Sequence, residues 1–291
     1  MRLLRIYIAA FLLCVPAAVR VLAGDVNKEI RRTDEREARV RIESSFGSVN
    51  VFRGPGDKIA VISYRDSKNR EANAEIDYRL RDRIGNLNVE LNPSGERHEH
   101  DGGLHVNFDF KTDEWYVMLT DAIPIAFDAS LGAGNANIDM TGLNVNKFSL
   151  STGASSTKIR WGEPNRSVID RMRIEAGVSK LVAEGLSNAN FRHLDFEGGV
   201  GSYYLNFDGE LKREVDVKID FGMGSVTLDI PSNIGVKVKY NDSWLTSFSF
   251  ATDISKEYEG MSVSSNYSNA EGRLNIYVDS GVGHVKIRRS N

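Results

Sequence analysis

The sequence predicts an all-β protein: a β-solenoid of stacked two-strand coils, with irregular β regions at both ends. Three observations carry that reading. First, a glycine recurs at Gly132, Gly153, Gly177, Gly199 and Gly222, at intervals of 21, 24, 22 and 23 residues. Self-similarity at such a period marks a repeat array rather than one folded sheet. Second, two residues after each glycine stands a small residue: Gly134, Ser155, Ser179, Gly201 and Gly224. Third, apolar residues alternate on both sides of the pair. The positions after it read Ala136/Ile138, Thr157/Ile159, Leu181/Ala183, Tyr203/Leu205 and Val226/Leu228. Those before it read Phe127/Ala129, Phe148/Leu150, Met172/Ile174, Leu194/Phe196 and Val217/Ile219. A period of two in two short runs means two strands with side chains alternately in and out. One such coil cannot bury its own apolar face, so stacked neighbours must supply the core. Glycine supplies the corner, where a missing Cβ lets backbones approach.

The chain opens with Arg2 and Arg5 and an apolar run from Ile6 to Val15. That run is too short for a bilayer, which needs about 20 residues. Residues 1–23 are therefore read as a secretory signal peptide, cleaved after Val21-Leu22-Ala23. A lipoprotein signal at Cys14 is the alternative, disfavoured because bulky Leu13 precedes it. The chain from Gly24 would hold no cysteine, hence no disulfide, and 34 basic against 40 acidic residues, a net charge near −6. There is no basic stripe, so nucleic acid is excluded as a partner, and no later run resembles a membrane helix.

Residues 24–37, with Lys28, Glu29, Arg31, Arg32, Asp34, Glu35 and Arg36, are expected as an exposed arm. Residues 38–120 are expected as a less regular N-terminal β region with hairpins. Phe46-Gly47-Ser48-Val49-Asn50-Val51 there matches Met223-Gly224-Ser225-Val226-Thr227-Leu228. Residues 121–235 carry the regular solenoid repeats, with Gly162 to Asp170 as a longer corner. Residues 236–291 form a C-terminal β region. Its last coil, through Asp279-Ser280-Gly281-Val282-Gly283, comes 59 residues after Gly222 and is expected to act as a cap.

Three groups of residues raise the question of chemistry. His98, His100 and His105 lie in a turn-rich segment where His-x-His could offer metal ligands, but the Pro93, Ser94, Gly95, Gly102 and Gly103 around them are the composition of a solvated loop. Glu175, Glu197, Asp220 and Asp279 each stand two residues before a leading glycine and form an acidic row; with Arg173, Asp195 and Lys218 on the same face, ion pairing is the favoured reading over catalysis or calcium binding. Asn165-Arg166-Ser167, Asn241-Asp242-Ser243 and Asn266-Tyr267-Ser268 are glycosylation sequons in a eukaryotic context. There is no Gly-x-Ser-x-Gly, no His-Glu-x-x-His and no phosphate-binding glycine loop.

Leu131-Gly132-Ala133-Gly134 with Ile138 to Leu143, Gly162-Glu163-Pro164, Glu197-Gly198-Gly199-Val200-Gly201 and Phe221 to Pro231 resemble the toastrack family. That family includes adhesin modules and the C-terminal domains of cell-wall-active antibiotic response proteins. The resemblance covers about residues 120 to 236 well and Phe46 to Val61 partly. It implies a non-catalytic β-solenoid facing the cell envelope or exterior.

The expectation is thus a secreted or periplasmic, envelope-facing, non-enzymatic module. It would act as an envelope scaffold, an adhesin-like binding domain or an envelope-stress component. No catalytic, cofactor-binding or metal residue is assigned and no cofactor is called for; the partner is an envelope protein or a surface glycan. A solenoid enzyme on extracellular polysaccharide is the alternative, and an outer-membrane β-barrel a weaker one, since alternating runs of about 5 to 7 residues fall short of the roughly 9 to 11 a barrel strand needs. In-register stacking predicts cross-coil ion pairs Asp139 with Arg160, Arg160 with Glu184, Arg173 with Asp195 and Asp195 with Lys218.

Overall fold

The computed structural model describes residues 19–22, 27–66, 73–91, 113–241 and 244–290. His98, His100, His105, Cys14 and most of the expected signal peptide lie outside the described residues. The strands in chain order are β1 (Val19–Leu22), β2 (Asn27–Arg31), β3 (Glu37–Arg53), β4 (Lys58–Asp66), β5 (Asn73–Arg81), β6 (Ile84–Leu91) and β7 (Asp113–Leu119). The coils β8 (Ile125–Asp139), β9 (Val145–Arg160), β10 (Ile169–Glu184), β11 (Phe191–Asn206) and β12 (Glu214–Pro231) follow. The chain closes with β13 (Gly235–Tyr240), β14 (Thr246–Phe250), β15 (Ile254–Tyr258), β16 (Met261–Ser264) and β17 (Arg273–Ser290).

Each coil is one strand running unbroken through its glycine pair and bent there, where the alternation alone reads two. The inward face changes parity at the bend. In β10, Met172, Ile174 and Ala176 are buried before Gly177, and Ser179, Leu181 and Ala183 after it. The first halves of the coils therefore make one sheet and the second halves another, with the core between them. Stacking is parallel and in register along β3, β8, β9, β10, β11, β12 and β17. The core rows run through Ile138, Ile159, Leu205 and Leu228, all fully buried. Phe127 stacks on Phe148 with ring centroids 5.4 Å apart, and Phe148 meets Trp161 at 5.7 Å.

The second glycine of a pair also has a conformational task. Gly134 and Gly224 sit at φ of +136° and +133°, a region costly for a residue with a Cβ. The opposite corners are held by asparagines. In the long corner, the Asn165 side chain accepts from Val145 N at 2.9 Å and donates to Val145 O at 2.7 Å and Ala189 O at 3.1 Å. That sequon asparagine is a buried structural residue, not an exposed acceptor.

Several expected boundaries need correction. The described part of the expected exposed arm at 24–37, residues 27–37, is not an arm: β2 pairs antiparallel with β4, Ile30 is buried, and Glu35 is 4% exposed and bonded by Tyr78. The charges at Lys28, Glu29 and Arg31 are those of an edge strand, whose exposed positions are commonly charged. The regular stack is wider than 121–235, since β3 and β17 are full coils of it. Nor is the β17 coil the cap, because it lies between β12 on one side and β13 and β14 on the other. The strands do not close into a barrel: β2, β14 and β15 each pair on one side only among the described residues. No helix among them is long and apolar enough to cross a membrane.

Both ends of the stack are finished by pairs of short strands. At the N-terminal end β6 covers the first half of β3 and β7 the second, and antiparallel β5 and β4 extend each. β1, inside the expected leader, pairs with β5 at Asn73 to Ile76.

Candidate binding surface

The solenoid presents outward rows, one residue per coil, about 4.8 Å apart along the stack. The acidic row is there: Glu175, Glu197, Asp220 and Asp279 are consecutive register partners on β10, β11, β12 and β17. Asp220 accepts from Lys218 at 2.6 Å, and Asn241 donates to Asp279 at 3.4 Å. No group of three or more His, Cys, Asp or Glu among the described residues is arranged to hold a metal ion.

The four expected cross-coil pairs are register partners as foreseen, yet their ion pairs form elsewhere. Asp195 takes Arg171 at 2.6 Å, a diagonal neighbour, rather than Arg173 or Lys218. Glu184 takes Lys158 at 3.0 Å rather than Arg160. Long side chains reach the diagonal as easily as the position opposite.

The outer face of the first sheet carries a groove of roughly 690 Å³. It crosses β6, β3, β8 and β9 and is lined by Asn86, Asn88, Arg39, Arg41, Asp128 and Lys147, with Glu37 at its rim. Its floor is Ala126, whose small side chain lies between Arg39 on β3 and Lys147 on β9. Arg39 approaches Glu37 at 3.4 Å and Arg41 pairs with Glu43 at 2.7 Å, both arginines remaining more than half exposed. A register shift between Ile125 and Ala126 leaves Asn146 as an extra residue on β9. The Asn146 Oδ1 lining this groove is buried with no hydrogen-bond partner. A second groove of about 470 Å³ lies on the same face at the other end, lined by Lys218, Lys237, Lys239, Asn275 and Tyr277.

On the second sheet, Asp229 gathers Tyr204 at 2.5 Å and Arg288 at 2.7 Å, with the Arg288 guanidinium also 5.4 Å from the Tyr204 ring centre. Burial alone would push the Asp229 carboxyl up; the hydrogen bonds from Tyr204 and Arg288 outweigh it and hold the carboxyl below the usual range. The cluster ties β17 to β12 and β11. The sequence offered no signal for it beyond the register, since Arg288 lies 59 residues from its partner.

A family model for the N-terminal domain of toast_rack (DUF2154) matches residues 22–184 and 165–229. No curated protein matches this chain. Among solved structures, it is similar to a candidate cell adhesion protein from Clostridium sporogenes, with 19% identity over 92% of this chain and 100% of that one, at a TM-score of 0.46. It is also similar to a candidate adhesin from Parabacteroides distasonis, with 13% identity over 91% and 98% of the two chains and a TM-score of 0.34. A candidate adhesin from Bacteroides fragilis shows 12% identity over 91% and 97%, with a TM-score of 0.31.

Proposed function

Since the chain belongs to the toast_rack family, we propose that it is an exported, non-catalytic module that binds an acidic surface glycan along the outer face of its first sheet. The observation that carries this is the groove over Ala126. Across it Asn86 and Asn88 on β6, Arg39 and Arg41 on β3 and Lys147 on β9 line one open channel. Arg39, Arg41 and Lys147 add positive charge for carboxylates of an acidic polymer. Regular strand spacing suits an extended polymer better than a small compact ligand.

The carboxylates support the non-catalytic side of this reading. Asp220, Asp195 and Asp229 are each occupied by a cation at 2.6 to 2.7 Å. Titration calorimetry with polygalacturonate and, as the neutral control, dextran tests the reading. Saturable binding of polygalacturonate is expected, weakened at least tenfold by Ala126→Phe, which fills the floor without adding charge, and by Lys147→Glu, with no reducing ends released. Absence of binding to either polymer, or product formation that stops on Glu197→Gln, would overturn it.

A further inference from the structure

We propose that the free edge of β14 is an acceptor site for an extended segment of a partner protein, taken up as an added strand. This goes beyond the glycan reading and uses none of its residues.

The two ends of the solenoid differ. At the N-terminal end both sheets run on past β3 by matching strands, β6 and β5 in one, β7 and β4 in the other. At the C-terminal end the first sheet continues from β17 through β13, β16 and β15, while among the described residues the second stops at β14. Two strands of the first sheet thus lack counterparts across the core. The outer of the two shows it: beyond Ile254, every residue of β15 is exposed, whereas on β16 Met261, Ser262 and Ser264 are buried. Phe248 and Phe250 on β14 are only partly buried and pack at a tilt against Tyr240, with ring centroids 4.3 and 5.7 Å away. Ser262, beside Val238 on β16, is 1% exposed and its hydroxyl has no hydrogen-bond partner.

The chemistry of the edge also sets it apart. Exposed edges invite pairing with other chains, and natural proteins blunt them with charge or proline. β2 carries Lys28, Glu29 and Arg31, and β15 carries Lys256 and Glu257. β5 alternates Glu75, Asp77, Arg79 and Arg81. β14 reads Thr246-Ser247-Phe248-Ser249-Phe250, with neither charge nor proline, and Trp244 just before it is 93% exposed. The parallel register fixes which backbone groups are open. Gly283 N donates to Leu245 O at 3.1 Å, so Leu245, Ser247 and Ser249 turn their backbone toward β17. Alternation then points the N–H and C=O of Thr246, Phe248 and Phe250 outward.

The occupant follows from these constraints. It is an uncharged extended strand with a bulky apolar residue at every second position, to lie beside Phe248 and Phe250. One strand or one hairpin fills the missing place. A second whole copy does not, because β16 and β15 project past β14 where the second copy's own facing sheet would have to lie.

Random twelve-residue peptides displayed on phage, selected against the immobilised full chain, provide the probe, and an enriched peptide is then synthesised. Apolar residues at alternate positions with no charge between them are expected among the enriched sequences. The peptide should slow hydrogen exchange at the amides of Thr246, Phe248 and Phe250 at least tenfold. N-methylation at alternate residues, which removes strand-forming donors but keeps the side chains, should weaken binding tenfold or more. Failure to enrich any peptide overturns the proposal, as does an enriched peptide that leaves those amides exchanging freely or binds as well when N-methylated. Protection of β14 by dimerisation of the protein alone overturns it too.

Discussion

Gly222 packs against the carbonyl oxygen of Gly199: a Cβ added to Gly222 would sit 2.9 Å from it. The same relation joins Gly199 to Gly177 at 2.7 Å and Gly177 to Gly153 at 2.9 Å. The corner is therefore a column of backbones in contact, and strand spacing survives there only without side chains. Gly222→Ala should cost about 1 to 3 kcal/mol by overpacking. Gly224→Ala should cost more than Gly222→Ala, since it adds the left-handed φ to a clash with Gly201. Urea denaturation of both variants checks the order; equal or negligible effects would contradict the column.

The core rows should dominate stability over the surface pairs. Ile138→Ala, Ile159→Ala, Leu205→Ala and Leu228→Ala, all at fully buried positions, should each cost about 2 to 5 kcal/mol. Arg171→Ala, which removes only the exposed partner of Asp195, should cost under about 1 kcal/mol. Chemical denaturation midpoints at constant slope give the comparison. A reversed ranking would mean that the outward rows, not the interior, hold the coils together.

Much of this was legible because repetition and chemistry coincide. The leading glycines mark both the bend and the close approach, so their spacing exposed the coils. The core rows followed from alternation. Ile30 was hidden because an edge strand carries the same charges as a solvated arm. The bounds of the stack were missed because β17 joins β12 across a 59-residue separation. The groove was not readable at all: its floor at Ala126 and the extra residue Asn146 depend on how four strands, distant in sequence, come into register.

Asp229 should make stability depend on acid. Its carboxyl is held below the ordinary range in the folded chain, so its contribution is complete above the unfolded value near 3.9 and is lost as pH falls through the folded value. Asp229→Asn should cost about 1 to 3 kcal/mol at pH 7, and the difference from the unaltered protein should shrink below about pH 4. A difference that stays constant on acidification would show that the charge on Asp229 is not what matters.

Export is tested at the N-terminus. Sequencing of the secreted protein should begin at or near Gly24. A retained leader, or lipid on Cys14, would contradict the proposed processing. Cleavage would also free the β5 edge that β1 covers, and exchange at Asn73 to Ile76 should be faster in the processed chain than in the full one.

The central claim is the stacking order, in which β17, near the C-terminus, follows β12 at the end of the run that passes from β3 through β8. The chain from Gly24 has no cysteine, so Ser130→Cys and Asp279→Cys give two unique spin-label sites on one outward row. Five steps separate them, through β9, β10, β11 and β12 to β17, which is about 24 Å at strand spacing. Double electron–electron resonance should show a single narrow distribution near that distance once label length is included. A broad distribution, or one centred beyond about twice that spacing, would contradict the in-register solenoid.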